Sequence, residues 1–345
     1  GVQLTHSNIR SNIEAINQVF QVNKKDVVMG ILPFFHSFGY TGTLWLPLLS
    51  GMGAVYHNNP LDAKSIGKLI HKNKATLLMT TPTFLNSYTR RCEKHQLASL
   101  RFIVVGAEKL KKEIADAFKE KFDITPMEGY GCTELSPIVA LNFPDYVSEG
   151  VHQKAYKPGT IGLPLPGIAI KVINQNTMKE ASADEDGLLY IKGPNVMKGY
   201  LNKEELTKEV IENGWYKTGD IANVDEDGFI KITGRLSRFS KIGGEMVPHI
   251  KIEQTIHSIL NSSDQVCVVT SIPDDKKGEK LAVLCLQDVD IASLVDQLKE
   301  SDLPNLWVPD VRCFFKVEAI PLLGSGKLDL GKIKKRALEE SKKVS

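Results

Sequence analysis

Short apolar runs bounded by turn residues recur early in the chain, DVVMGILP at 26–33, ATLLMTTP at 75–82 and RFIVVGAE at 101–108, with amphipathic segments of helical period around them. That rhythm restricts the fold more than any other feature. Runs of this length read as strands, and strands alternating with helices build an α/β sheet. KEIADAFKEKF at 112–122 is predicted to be a helix. So is TPTFLNSYTRRC at 81–92, with Thr81 opening it and Pro82 in its first turn. From about residue 157 the texture changes to Gly/Pro punctuation and short alternating strands. Two echoing stretches, DEDGLLYIKG at 184–193 and DEDGFIKITG at 225–234, predict two hairpins of a small antiparallel or barrel-like subdomain. As calcium loops they have the wrong ligand spacing and lack the closing Glu.

A new unit begins after Arg235. KIEQTIHSIL at 251–260 and IASLVDQLKE at 291–300 read as helices. VCVVTSIP at 266–273, KLAVLCLQ at 280–287 and VRCFFKVEAIP at 311–321 read as strands, and LGKIKKRALEESKK at 330–343 as a closing basic helix. The expected organisation is a large domain over 1–235, α/β to about 156 and β-rich over about 157–235, followed by an α+β domain over 236–345. A length of 345 residues is ample for both.

Charge excludes little. With 43 Lys+Arg against 41 Asp+Glu the formal net charge is +2, and no basic stripe interleaved with aromatics points to nucleic acid. The five cysteines are widely spaced without a CxxC pair, as expected of reduced thiols in a cytoplasmic protein. The start GVQLTHSNIRSN lacks the features of a signal peptide. Residues 27–61 contain no Asp, Glu, Lys or Arg, but prolines, glycines and hydroxyls interrupt them. A spanning helix needs roughly 20 predominantly apolar residues, so a buried strand, loop and helix is expected there instead. His57 and Asp62 match a His-x4-Asp acyltransferase pattern, which chance readily produces.

Four stretches carry chemistry. In YGCTE, residues 130–134, a flat ring, a glycine, a hydroxyl and a carboxylate suit stacking on a base, close backbone approach, a phosphate hydrogen bond and Mg²⁺ bridging phosphates. A loop tyrosine beside a capping pattern is the plainer alternative. Asp220 of YKTGD can accept from both hydroxyls of a ribose, unless the Gly-Asp pair is simply a turn. Arg235 can pair with the same sugar or with phosphate. Lys327, in the glycine-flanked loop GSGKL, can place a mobile charge on an α-phosphate or a carboxylate oxygen.

YGCTELSP, GTIGLPLPG, GWYKTGD, DGFIKITGR and PLLGSGKLD, in that order, resemble the signature set of the adenylate-forming superfamily of acyl-CoA synthetases, luciferases and peptide-synthetase adenylation domains. FFHSFGYTGTLWLPLLSG, GRLSRFSKIGGEMVPH and LPNLWVP resemble one branch more closely. That branch is the acyl-[acyl carrier protein] synthetase, including the synthetase part of the bifunctional 2-acylglycerophosphoethanolamine acyltransferase.

The resemblance implies an adenylate-forming fold, ATP and Mg²⁺ as cofactors, and a two-step reaction. A fatty carboxylate forms an acyl-adenylate, and the phosphopantetheine thiol of acyl carrier protein or coenzyme A then takes the acyl group. Residue by residue it implies that Gly106, Ala107 and Glu108 line adenine, and that Tyr130 covers the base with Gly131 beside it. Thr133 would contact phosphate, Glu134 bind Mg²⁺, and Asp220 hold the ribose with Arg235 nearby. Lys327 would be the adenylation lysine, and His36 would stand between acyl pocket and phosphates. A mobile second domain would pivot near Arg238, and the loop with Gly243, Gly244 and Glu245 would face the thiol.

The resemblance also implies that a Ser/Thr/Gly-rich phosphate loop precedes Gly1, so the chain is expected to be N-terminally truncated and weak or inactive in adenylation by itself. A missing N-terminal part would be what associates the whole protein with the inner face of a membrane. The competing expectations are an acyl-CoA synthetase, and an inactive fragment or carrier-binding module using Lys276, Lys277, Lys280 and the basic residues of 332–336.

Overall fold

The computed structural model describes residues 1–262, 264–274, 276–286, 289–322 and 328–344. The chain divides into two compact units, Gly1–Thr233 and Gly234–Ser345.

The first unit is built on a seven-stranded sheet. Its spatial order is Leu163–Pro164, Ile138–Leu141, Met127–Gly131, Phe102–Val105, Leu77–Thr80, Val27–Gly30 and Gly53–Tyr56. The five strands from Met127–Gly131 to Gly53–Tyr56 are parallel, and the other two join them antiparallel. Parallel strands covered on both faces need continuous apolar sequence. Val28, Met29, Leu78, Ile103 and Val105 accordingly lose all solvent exposure. Helices His6–Phe20, Ala63–Asn73, Pro82–Arg91 and Lys112–Phe122 add Ile13, Ile16, Ile66, Leu85, Tyr88 and Phe118 to the same core.

Local chemistry starts these helices, and at Pro82–Arg91 it does so where the sequence predicts. Thr81 accepts from the Phe84 amide ahead of Pro82, and Thr5 forms a reciprocal capping box with Asn8. Asp62 caps Ala63–Asn73 through the Ser65 amide at 3.1 Å. Loss of such a cap costs about 1 kcal/mol. The second oxygen of Asp62 lies 3.4 Å from His57 Nε2, so the His-x4-Asp pattern is a helix cap with an attached imidazole.

The charge-free stretch forms strand Val27–Gly30, a short helix Ser37–Gly39, a π-helical segment Tyr40–Trp45, helix Leu46–Ser50 and strand Gly53–Tyr56. Among the described residues no helix is long and apolar enough to cross a membrane. The π-helical segment lies close on the sheet, because a Cβ on Gly42 would stand only 2.3 Å from Met79 Sδ.

Strands Ala169–Ile173, Gly187–Lys192 and Trp215–Val224 form an antiparallel sheet, with Ile211–Glu212 and Ile230–Arg235 both paired to Trp215–Val224. Only the second Asp-Gly echo is a tight hairpin: Asp225 Oδ1 accepts from the amides of Asp227 and Phe229, and Gly228 takes φ 86°. The first differs from expectation. Residues 174–186 form a longer connection in which Asn174 Oδ1 accepts from the amides of Asn176 and Thr177.

In the second unit strands Glu245–Pro248, Phe239–Ile242, Gly278–Leu286 and Cys267–Asp274 are neighbours in that order, and Phe314–Val317 runs parallel to Gly278–Leu286. Strand alternation serves two cores. Val269 and Val283 meet Ile252 and Ile256 of His249–Ile259 and Leu294 and Leu298 of Ile291–Lys299. Val268 and Leu284 meet Ile333 and Ala337 of Leu330–Val344.

Within this unit His249 is buried, with Nε2 2.6 Å from Ser240 Oγ. Burial, reinforced by the Arg238 guanidinium and opposed by Glu279, drives its pKa from 6.5 to about 3. A depressed folded pKa means that the neutral ring's contribution is complete above pH 6.5 and is withdrawn as pH falls towards 3. The loss amounts to at most about 1.4 kcal/mol per pH unit. Glu253, whose carboxyl burial raises, works in the opposite sense within the carboxylate range. Amide exchange across Cys267–Asp274, corrected for intrinsic rates, should therefore show stability falling below pH 6.5. His249→Gln should flatten that slope, and an unchanged slope would assign it to another group.

Candidate active site

The parallel strands deliver their following loops to one edge of the sheet, the position at which open α/β sheets bind ligands. Beyond Val27–Gly30, His36 Nδ1 accepts from the Phe38 amide at 3.2 Å and caps Ser37–Gly39. Beyond Leu77–Thr80 and Phe102–Val105, the Gly106 amide donates to Thr80 O at 3.1 Å, and Ala107 takes φ 68°. Glu108 accepts the Thr83 hydroxyl at 2.8 Å. Buried Glu128 fixes the far end of this loop by accepting from the Leu110 amide at 3.0 Å.

Strand Met127–Gly131 leads into a single 3-10 turn, Thr133–Leu135. The Ser37 and Thr133 hydroxyls lie 3.2 Å apart, and Thr41 donates to Ser136 O at 3.0 Å. The loop after the first parallel strand is thus tied to the loop after the last. Gly131 has a structural cause of its own, because a Cβ there would sit 1.9 Å from Pro137 O.

The antiparallel sheet brings in the remaining acid. Asp220 is buried, and its amide donates to Thr218 Oγ1 at 3.0 Å. The Tyr130 hydroxyl donates to Asp220 Oδ2. Burial and then the Asp220 charge push the Tyr130 phenol well above its ordinary value. Glu134 Oε1 accepts the Tyr200 hydroxyl at 2.8 Å, and the Tyr216 hydroxyl lies against that of Tyr200. Burial first, then the bond to Glu134, raises Tyr200 to about 12. Cys132 faces Glu134 as well, and burial followed by that carboxylate's charge raises its thiol strongly.

The structure therefore brings together Thr133 with Ser37 beside His36, and Tyr130 with Asp220. Gly106, Ala107 and Glu108 lie at the same sheet edge. Arg235, Arg238, Gly243, Gly244 and Glu245 belong to the second unit. Arg238 is buried there, paired with Glu253 and donating to Val269 O at 3.4 Å. Gly243 and Gly244, at φ 58° and 92°, turn the hairpin between Phe239–Ile242 and Glu245–Pro248. Glu245 accepts from Trp307 Nε1 at 2.8 Å. Lys327 lies outside the described residues. Sequence reasoning missed Ser37, Glu128, Thr218, Tyr200 and Tyr216, although Ser37 stands inside the FFHSFGYTGTLWLPLLSG stretch and Thr218 and Tyr216 inside the GWYKTGD stretch that it quoted.

Among the described residues no group of three or more His, Cys, Asp or Glu side chains is placed to hold a metal. Glu134 and the nearby hydroxyls offer hard oxygen donors instead. They fit Mg²⁺ held by one carboxylate together with ligand phosphates.

A family model described as AMP-binding enzyme matches residues 1–201. The chain is 31% identical over 350 residues to a long-chain-fatty-acid--CoA ligase of Bacillus subtilis, across 99% of this chain and 59% of that protein. It is 33% identical over 342 residues to the probable 4-coumarate--CoA ligase 2 of Dictyostelium discoideum, across 95% of this chain and 59% of that one. It thus spans 59% of the length of these relatives. The fold superposes on ATP-bound MatB from Rhodopseudomonas palustris with a TM-score of 0.77 at 26% identity, covering 97% of this chain and 65% of that one. On o-succinylbenzoate CoA synthetase (MenE) from Bacillus subtilis, in complex with the acyl-adenylate intermediate OSB-AMP, it scores 0.78 at 26% identity, covering 97% and 66%. The family match takes in the sheet, the strand-end loops and the turn that carries Glu134, and it extends over more than half of the sequence, so the chain belongs to the AMP-binding enzyme family.

Proposed function

We propose that the protein containing this chain is an AMP-forming acid–thiol ligase acting on fatty acids. The meeting of Tyr130, Thr133 and Glu134 at one strand end with Asp220 from the antiparallel sheet carries this reading. In the first step a carboxylate oxygen attacks the α-phosphorus of ATP, pyrophosphate leaves, and an acyl-adenylate forms. In the second a thiol attacks the acyl carbonyl, its proton is lost to solvent or base, and AMP departs.

The chain's own residues serve both steps by holding the nucleotide. The Tyr130 ring covers the base, and Asp220 accepts a ribose hydroxyl while Tyr130 keeps its carboxylate aimed. Thr133 donates to phosphate. Glu134 would hold Mg²⁺, which when bound neutralises charge along the phosphates. Lys327 would stabilise the charge that develops at the α-phosphate. The relatives' names support a fatty carboxylate and coenzyme A. The branch resemblance supports the carrier protein, and with it a supply of acyl groups for lysophospholipid reacylation. Both acceptors present the same phosphopantetheine thiol.

Pyrophosphate release from ATP, Mg²⁺ and a long-chain fatty acid tests the first step. It is expected of the protein that contains this chain, and its absence there would overturn the ligase reading. In the active form Lys327→Ala should lower the rate by about 100-fold or more. Asp220→Asn should weaken AMP binding by about 10-fold, the scale of a hydrogen bond to a charged group. Unchanged AMP affinity would remove Asp220 from the ribose. Thioester formation with holo acyl carrier protein against coenzyme A then identifies the acceptor.

A further inference from the structure

Glu134 sits on a single 3-10 turn, where its three-torsion carboxylate has the weak thiol donor of Cys132 close by in sequence and little other local reason to hold one orientation. Residues 194–201, which the site as read from sequence does not include, supply that reason. The Met197 amide donates to Glu134 O at 2.8 Å, and the Tyr200 hydroxyl donates to Glu134 Oε1 at 2.8 Å, so one short segment grips Glu134 at both ends. The same segment holds the rest of the turn. Asn195 Nδ2 donates to Leu135 O at 2.9 Å, and Ser136 Oγ donates to Asn195 O at 2.8 Å.

The segment is itself anchored on its other side. Gly199–Tyr200 pairs antiparallel with Val2–Gln3. The Lys198 amide donates to Gln3 O at 3.0 Å and the Leu201 amide to Gly1 O at 2.7 Å. Asn8 Nδ2 donates to Pro194 O at 2.7 Å and to Val196 O at 2.9 Å. The Tyr200 amide donates to Thr207 Oγ1 at 2.9 Å.

We propose that residues 194–201 form a positioning strap for the metal-binding carboxylate, with Tyr200 as the positioning residue that orients Glu134 through its hydroxyl. The inference rests on the nucleotide-site reading above and concerns how tightly the site takes Mg²⁺ with ATP. A phenol donating to one oxygen leaves the other lone pairs of the carboxylate aimed in a fixed direction. Groups that orient a metal ligand in this way typically contribute 10- to 100-fold in metal affinity. Met197 and Asn195 act on the backbone of the turn, whereas Tyr200 alone of the strap reaches the carboxylate.

Full-length protein carrying Tyr200→Phe, which keeps the ring and removes the hydroxyl, tests this. Calorimetric ATP binding across a MgCl₂ series is expected to show half-saturation moved to about 10-fold higher Mg²⁺, while AMP binding without metal stays unchanged. Mn²⁺ binding followed by electron paramagnetic resonance in the presence of ATP should weaken in parallel. In Glu134→Gln the further change Tyr200→Phe should have no additional effect. An unshifted Mg²⁺ dependence, or an equal loss of AMP binding, would overturn the proposal. If Tyr200→Phe does not fold, Thr207→Val replaces it, since it frees the Tyr200 backbone without touching the carboxylate. It should shift the Mg²⁺ dependence in the same direction, and absence of that shift would count against the strap. Failure of the unsubstituted protein to bind AMP or ATP at all would instead overturn the nucleotide-site reading.

Discussion

Parallel strand direction is the constraint on which the first unit depends. Five neighbouring strands run the same way, and parallel neighbours cannot be joined by a tight turn, so each connection returns across a face of the sheet. The loops that follow the strands are consequently gathered at one edge. This geometry brings segments far apart in sequence into the same neighbourhood. The polar contacts then fix the loops against one another, through Ser37 with Thr133, Thr41 with Ser136, and Thr83 with Glu108. All use short hydroxyl side chains, which lose little rotamer freedom and accept or donate as the geometry requires.

What was legible in the sequence follows from the range of the interactions involved. Thr81 with Pro82 specifies a helix start through contacts three residues away, and the helix Lys112–Phe122 through its apolar period, so both are readable locally. The Asp225 turn is readable for the same reason. The 174–186 connection is not, because an Asp-Gly pair looks alike whether it closes a tight hairpin or follows a longer loop. Tyr200 was invisible for a different reason. Its bond to Glu134 spans 66 positions, and nothing around Tyr200 in sequence announces an acidic partner. Glu128 is a similar case, a carboxylate at the buried start of its strand whose partner is a backbone amide of another loop.

Glycine shows how a correct motif can carry an incomplete reason. Gly131 stands in the YGCTE stretch, where close approach of a nucleotide explains it well from sequence alone. The fold already excludes a side chain there, since Pro137 O occupies the space. Gly243 and Gly244 are the opposite case. An added Cβ would meet nothing within 4 Å at either position, and it is the left-handed backbone of a two-residue hairpin that selects glycine.

The second unit makes a different compromise at Arg238. Placing a guanidinium and the Glu253 carboxylate in an apolar core costs desolvation at both groups, and burial alone would favour the neutral acid. The pair persists because the remaining valences are met: the Val269 amide donates to Glu253 Oε1 at 2.6 Å and Arg238 donates to Val269 O. A single strand residue thus engages both members of the pair. Burial first, and then the neighbouring Arg238 guanidinium, keeps the His249 imidazole neutral. The same buried cation that anchors the start of the second unit to its sheet therefore adds to the burial that keeps His249 neutral, and so contributes to the acid sensitivity of that unit.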